Sequence, residues 1–282
     1  PLKEMAEAAR KFGHGEFDVR VSGSCERCDE VGELATAFNA MADSLAKSEA
    51  RRSEFVANIS HELKTPVTIL KGQLSGMLDG VGAYRDRDKY LLRSLQVAGR
   101  MERLIGEMLA ISRMETGSAE VRRERVDLSA LLDRRLMQDD EMFRLRGQRL
   151  ISDLTPGVSV AGDEAMLEKV VGCLLSNAAL YSPEGAQVRV WCGRLESRPS
   201  FTVENSGAQI SADALPHLFE PFYRAEGSRS RATGGSGLGL YLVKMILDRH
   251  GAVCTIGNTT DGVKAEVRFL DKTEKMERQP LY

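Results

Sequence analysis

"FVANISHELKTPVTIL", residues 55–70, decides how the first half of the chain is read. Phe55, Ile59, Leu63, Val67, Leu70 and Leu74 recur every three or four residues, which predicts a helix with one apolar stripe. At about 100° per residue, His61 lies roughly 200° around from Ile59 and points away from that stripe. Pro66 has no N–H to give the carbonyl of Glu62, so the helix is weakened one turn beyond the histidine. The run therefore presents an exposed imidazole, a neighbouring carboxylate and a soft point in the backbone. For this window by itself, a solvated surface histidine is the plain alternative.

Upstream, "PLKEMAEAARKF" (1–12) is amphipathic, and "GHGEFDVRVSGSCERCDEVG" (13–32) reads as an extended connector. A second helix restarts near residue 29 and runs without a breaker into the histidine stretch. Phe38, Met41, Leu45, Ser48, Arg52, Phe55 and Ile59 follow the three-four alternation of a coiled-coil seam, locally weak at Ser48 and Arg52. Downstream, "DGVGAYRDRD" (79–88) is a turn. A further amphipathic helix follows, with Leu91, Leu95, Ala98, Ile105, Met108 and Leu109 apolar. Two long helices with one-sided stripes cannot bury those stripes alone, which points to a homodimer forming a four-helix bundle.

From about residue 120 the texture changes. The apolar segments "QRLISDL", "VRVWCG", "SFTVEN", "AVCTIGN" and "KAEVRFL" alternate with the helical runs "GDEAMLEKVVGCLLSNAALY" and "GLGLYLVKMILDRHG". This mixture predicts an α+β layer with helices on one face of a sheet. The last residues, "DKTEKMERQPLY", read as a charged tail.

The chain has 282 residues, room for about two domains with an extension. A net charge of -2 gives no electrostatic reason to expect nucleic acid. Five scattered Cys argue against a disulfide framework. No apolar run approaches the roughly 20 residues that span a bilayer. The chain starts at Pro1, which suggests an excerpt of something longer. Cys25 and Cys28 supply two ligands where a structural zinc site wants four. A partner chain or His14 could complete such a site; a pair of plain surface thiols is the alternative.

Three motifs in the second half carry chemistry. "TGGSGLGLYLVKMI" (233–246) places Gly235, Gly237 and Gly239 at the mouth of a helix, where backbone N–H groups and the helix terminus suit a polyphosphate. It lacks the Lys-Ser/Thr ending of a P-loop, and a structural glycine turn is its alternative. "LLSNAALYSP" (174–183) ends a helix with Asn177, an oxygen ligand suited to Mg²⁺, or else a polar surface residue. "VENSGAQI" (203–210) leaves a strand with Asn205, suited to the edge of an adenine, and Gly207, which permits close ring approach; an ordinary strand exit is the alternative.

In order and spacing, these stretches resemble the bacterial sensor histidine kinases of two-component systems. "FVANISHELKTPVTIL" looks like the H box, "LLSNAALYSP" the N box, "VENSGAQI" the G1 box, "LFEPFYR" (218–224) the F box and "GGSGLGL" the G2 box. The N-terminal stretch is similar to a HAMP signalling domain, which usually follows a transmembrane helix. Glycopeptide-resistance sensors are one branch the chain is similar to. The resemblance implies a HAMP segment over 1–49, a dimerisation and histidine-phosphotransfer hairpin over 50–117, and an α+β sandwich ATP-binding domain of Bergerat type over 118–272, then a charged tail over 273–282. Its implied setting is the cytoplasmic portion of a cell-membrane protein.

The resemblance also implies roles. His61 is the phosphoacceptor, Glu62 its general base, and Thr65 helps position water when the partner response regulator is dephosphorylated. Asn177 binds Mg²⁺, Tyr181 packs on adenine and Asn205 accepts from the exocyclic amine. Gly237, Leu238 and Gly239 present N–H groups to the phosphates of ATP. Arg224 and Arg229 flank a mobile lid. Four positions depart from the family pattern: Asn205 replaces Asp, Gln209 replaces Gly, Cys173 replaces Asn, and Leu180 replaces a cation. Those departures keep two alternatives open, a protein acting mainly as a response-regulator phosphatase and a non-catalytic ATP-binding scaffold.

Overall fold

The computed structural model describes residues 2–21, 30–116, 121–225 and 235–270. Cys25, Cys28, Arg229 and the charged tail lie outside the described residues. The chain divides into two compact units, Pro1–Ser75 and Gly76–Tyr282.

In the first unit, α1 (Leu2–Gly13) and the start of α2 (Glu30–Asp79) hold the extended connector between them. Ala8, Val21 and Ala35 form a small buried core, with Met5, Val19 and Phe38 packed against it. Small residues let the helices approach closely here. The ring of Phe12 meets Phe17 edge-on at 5.1 Å and Phe38 at 5.8 Å. Asn39 ties down the connector through both halves of its amide: Oδ1 accepts from the Val21 N–H at 2.9 Å, and Nδ2 donates to the Val21 carbonyl at 3.1 Å. The Arg20 guanidinium donates to Asp43 on the next turn of α2.

Helix α2 runs unbroken for 50 residues, through His61 and through Pro66. A single proline removes one backbone donor, and the other hydrogen bonds of a long helix carry the element across it. The apolar stripe is where the period placed it, and much of it is uncovered within one chain: Val67 and Leu74 are each 49% exposed.

In the second unit a short 3₁₀ turn, Gly82–Arg85, leads into α3 (Arg87–Glu115), whose N-cap Asp86 accepts from the Lys89 N–H. Tyr84 folds back over Gly76, where any side chain would collide with its ring. On α3, Leu104, Ile111 and Met114 are buried, while Leu91, Leu92 and Leu95 are exposed.

The α+β part contains β1 (Glu124–Asp127), α4 (Leu128–Leu145), β2 (Arg149–Leu154), β3 (Ser159–Gly162), α5 (Glu164–Tyr181), β4 (Gln187–Leu195), β5 (Arg198–Ser206), α6 (Gly239–His250), β6 (Ala252–Asn258) and β7 (Gly262–Phe269). Five strands form one sheet in the order β2-β4-β5-β7-β6, parallel only between β2 and β4. β1 and β3 pair separately. All five strands anticipated from the sequence are present. The two four-residue strands β1 and β3, and α4, were not anticipated. Asp127 starts α4 by accepting from the N–H groups of Ser129 and Ala130.

Alternation along β4 and β5 puts Val188, Val190, Phe201 and Val203 on the buried face, against a helical layer that contributes Leu131, Phe143, Val170, Leu175, Ile246 and Leu247. On the other face Lys264 and Arg268 pair with Glu266. Buried His250 pins α6 to the start of α5. Its Nδ1 donates to the Ile246 carbonyl at 2.7 Å, and its Nε2 accepts from the Asp163 N–H at 2.9 Å.

Gly262, where β7 begins beside β5, is the tightest point of the sheet. A Cβ there would lie 1.8 Å from the Asn205 carbonyl oxygen. That oxygen is backbone and cannot swing aside, so Gly262→Ala costs about 3 kcal/mol or more. Gly257, in β6, has nothing within 4 Å of a Cβ. Gly257→Ala therefore stays within about 1 kcal/mol of wild type. Urea unfolding of both variants checks the contrast.

Candidate functional site

Helix α5 starts at its N-cap Asp163, which accepts from the Met166 N–H. Leu167, Val170, Val171, Leu174, Leu175, Ala178 and Ala179 face the core. That leaves Cys173, Asn177 and Tyr181, four residues apart, along one edge of that face. Cys173 and Asn177 are half-buried, and Tyr181 is exposed. Burial pushes the Cys173 thiol up to about 12, and the Glu107 carboxylate adds to the shift. It stays a neutral thiol at physiological pH and cannot act as a base.

Two segments approach α5 there, and a third packs on one of them. From the glycine turn, a Cβ at Gly235 would lie 3.6 Å from Leu180 and 3.7 Å from the Tyr181 hydroxyl, and one at Gly239 would lie 3.9 Å from the Cys173 sulfur. From the end of β5, Gly207 adopts φ +80°, and a Cβ there would lie 2.7 Å from Pro183, just past α5. The Gly207 N–H donates to the Asp261 carbonyl at 2.8 Å. Gln209 and Ile210 are tied to Thr259 and Asn258 in the β6–β7 turn, so the strand exit has a fixed course. Asn205 is buried on the helix-facing side of β5, between Val188 and Val263 on its neighbour strands. Its Nδ2 has no hydrogen-bond partner among the described residues.

The third contact joins "LFEPFYR" to the glycine turn. The Phe222 N–H donates to the Gly237 carbonyl at 3.0 Å, and both residues adopt positive φ, +64° and +74°. Arg224, at the end of that stretch, is half-buried. Glycine at 237 supplies the left-handed conformation without strain; Phe222 adopts it at a cost of about 1–2 kcal/mol. Leu238, the residue before α6, is fully buried. Its N–H, expected to face an anion, donates instead to the Ser236 hydroxyl at 3.1 Å.

Sequence reading missed what holds Ser236. Its hydroxyl donates to Glu107 on α3 at 2.6 Å, across 129 residues of chain. Tyr241 donates to Glu115 at 3.4 Å, and Arg249 donates to the Met114 carbonyl. Helix α3 is thus docked along the glycine turn and α6. In the sequence Glu107 looks like any acid on the polar side of an amphipathic helix.

Burial pushes the Glu107 carboxyl above its ordinary 4.5, and the Ser236 hydrogen bond and Arg103 pull it only partly back. The ionised form is therefore the disfavoured one in the docked state. The docked contact carries no penalty below pH 4.5. The penalty grows as pH rises from 4.5 and is complete above the raised value. Glu107→Gln keeps an acceptor for Ser236 and removes this dependence. Its Tm should exceed wild type by about 2 °C at pH 7 and match it near pH 4, read by thermal unfolding across that range.

His61 lies in the first unit. It is exposed on α2, as expected, with Glu62 and Thr65 also exposed. The Thr65 hydroxyl donates to the His61 carbonyl at 3.3 Å, which settles it on the same helical face.

Comparison with known proteins agrees with this architecture. Residues 162–274 match the family model of the histidine kinase-, DNA gyrase B- and HSP90-like ATPases, residues 51–117 that of the His Kinase A (phospho-acceptor) domain, and residues 1–47 the HAMP domain. The chain is 34% identical over 271 residues to the signal transduction histidine-protein kinase BaeS of Escherichia coli, covering 95% of this chain and 57% of that one. It is 31% identical over 277 residues to the sensor protein VanSB of Enterococcus faecalis, covering 93% of this chain and 61% of that one. The chain thus spans somewhat more than half the length of these two relatives. Among solved structures, the histidine kinase AdeS of Acinetobacter baumannii shares the fold, with a TM-score of 0.63 at 23% identity over 74% of this chain and 96% of that one. The histidine kinase ThkA, solved in complex with the response regulator protein TrrA, shares it with a TM-score of 0.62 at 19% identity over 82% of this chain and 67% of that one. A helical HAMP and phospho-acceptor region followed by a mixed-sheet ATPase domain, carrying the motifs of both in order, places this chain in the sensor histidine kinase family.

Proposed function

We propose that this chain transfers the γ-phosphoryl group of ATP to His61 and passes it to an aspartate of a response regulator, which it also dephosphorylates. The observation that supports this most is the approach of two separate segments to α5 and the residues just past it. Gly235 and Gly239 approach from the glycine turn, and Gly207 approaches from the strand exit. That arrangement suits a purine nucleotide with its base toward Asn205 and its phosphates toward the helix terminus at Gly239.

The residues present fit that substrate. Buried Asn205 keeps a free amide donor. Tyr181 offers an exposed ring for stacking. The N–H groups of Gly237, Leu238 and Gly239 serve the phosphates once the Leu238 N–H is released from Ser236. Arg224 adds positive charge beside the same turn. Asn177 would hold Mg²⁺, which supplies charge neutralisation on the phosphates.

On α2 an imidazole nitrogen of His61 forms the N–P bond. The bond from the γ-phosphorus to its bridging oxygen breaks, and that electron pair leaves on ADP. Glu62 takes the proton the ring then sheds. Thr65, held on the same face, orients water for the reverse task. Transfer needs the reacting atoms roughly 3–3.5 Å apart, so the reaction requires the nucleotide cradle and the histidine to meet. The uncovered stripes of α2 and α3 support a homodimer in which they pack together. The HAMP match supports a membrane-anchored protein.

Incubation with radiolabelled Mg-ATP tests the reading. A phosphohistidine product keeps its label in alkali and loses it in acid. Absence of label, or an acid-stable product, rejects it.

A further inference from the structure

The amide of Asn205 carries more information than its place near a base. The residue is 7% exposed, and its flanking cross-strand residues are Val188 and Val263, whose side chains can accept nothing. Its Nδ2 is enclosed and makes no hydrogen bond among the described residues. A buried donor without a partner is unfavourable, and the loss is recovered when a ligand supplies an acceptor. Strand β5 fixes the residue: its backbone is paired on both sides, and the chain just beyond is tied to the β6–β7 turn. The backbone that carries the amide is therefore fixed, and only the side-chain torsions decide which of its two ends meets a ligand.

Ligand chemistry follows from the inventory of the group. An ionised carboxylate at this position could only accept hydrogen bonds. It would favour a base bearing an exocyclic amine and repel one bearing a carbonyl oxygen. A carboxamide both donates and accepts, and rotation about its terminal bond exchanges the two. Toward adenine, Oδ1 accepts from the 6-amino group while Nδ2 donates to a ring nitrogen, the pairing an amide makes with that base elsewhere. Toward hypoxanthine or guanine, Nδ2 donates to the 6-oxygen while Oδ1 accepts from the N1–H. Both purine classes satisfy the same amide with two hydrogen bonds.

We propose that Asn205 is a specificity residue that opens the nucleotide site to 6-oxopurine nucleoside triphosphates alongside ATP. This rests on the nucleotide reading of the site given above. The experiment is calorimetric titration of the whole chain, with Mg²⁺, by ATP, inosine triphosphate and cytidine triphosphate, repeated on Asn205→Asp. Inosine triphosphate isolates the 6-position, because it lacks the 2-amino group of guanine.

Wild type should bind ATP and inosine triphosphate within about fivefold of each other, and Asn205→Asp should separate them by at least about tenfold in favour of ATP. A wild-type preference for ATP above tenfold overturns the inference while leaving the nucleotide site intact. An unchanged ratio in Asn205→Asp does the same. Failure of every triphosphate to bind, or cytidine triphosphate binding as well as ATP, rejects the underlying site and this inference with it. The wild-type ratio decides the matter even if the variant does not fold.

Discussion

His61→Gln should abolish acid-labile labelling by Mg-ATP, lowering it by at least about a thousandfold, while nucleotide affinity stays within about twofold of wild type. The reasons are local. His61 is exposed on an unbroken helix, so its side chain supports no core. Gln has a helix propensity at least as good as His, and exposed substitutions of this kind change stability by about 0.5 kcal/mol or less. Loss of labelling therefore cannot be blamed on loss of structure. Gln keeps the size and polarity of the side chain and removes the ring nitrogen that attacks phosphorus. Glu62→Gln is the graded companion: it leaves the nucleophile and removes the base, so labelling slows by about a hundredfold or more without vanishing. Label retained in His61→Gln would place the phosphoacceptor elsewhere. Lost labelling together with lost nucleotide affinity would mean that the substitution acts through the cradle.

Much of this architecture is legible along the chain because its signals are local. The three-four stripe from Phe55 to Leu74 needs nothing beyond its own period to announce a helix, and between Glu30 and Asp79 only Pro66 removes a backbone donor. The strands of the main sheet show as short alternating runs, and Gly235, Gly237 and Gly239 mark a helix mouth by spacing. What local signals cannot carry is pairing across distance. β1 and β3 are four residues each, too short for an alternation to register, and they exist because they pair with one another. The Glu107–Ser236 contact joins positions 129 residues apart. Neither residue type is unusual where it stands, so only the folded chain reveals that Ser236 holds the Leu238 N–H. The left-handed backbone of Phe222 is hidden for the same reason. An aromatic residue gives no hint of positive φ, and the conformation is imposed by the partner it meets at Gly237.

That meeting point yields the second large effect. Gly237→Ala should weaken nucleotide binding by about thirtyfold or more, near 2 kcal/mol, and lower the Tm by about 5 °C. Two terms add. An alanine at φ +74° adopts the left-handed region at a cost of about 1–2 kcal/mol. Its methyl carbon would also lie 2.8 Å from both Cα and the carbonyl carbon of Phe222 and 3.0 Å from its oxygen. Those atoms are backbone, and the Phe222 N–H is bonded to the Gly237 carbonyl at 3.0 Å, so neither side can retreat without breaking the contact that shapes the turn. The displacement falls on Leu238 and Gly239, whose N–H groups are the proposed phosphate donors at the start of α6. Gly235→Ala is the matched control. Its Cβ would find Leu180 and the Tyr181 hydroxyl at 3.6 and 3.7 Å, ordinary contact distances, so affinity should change by less than about threefold. Calorimetric titration with ATP and thermal unfolding of both variants separate the outcomes. If Gly237→Ala binds and unfolds like wild type, the turn is not held by Phe222. If both variants lose binding equally, the sensitivity belongs to the whole turn rather than to the left-handed residue at its centre.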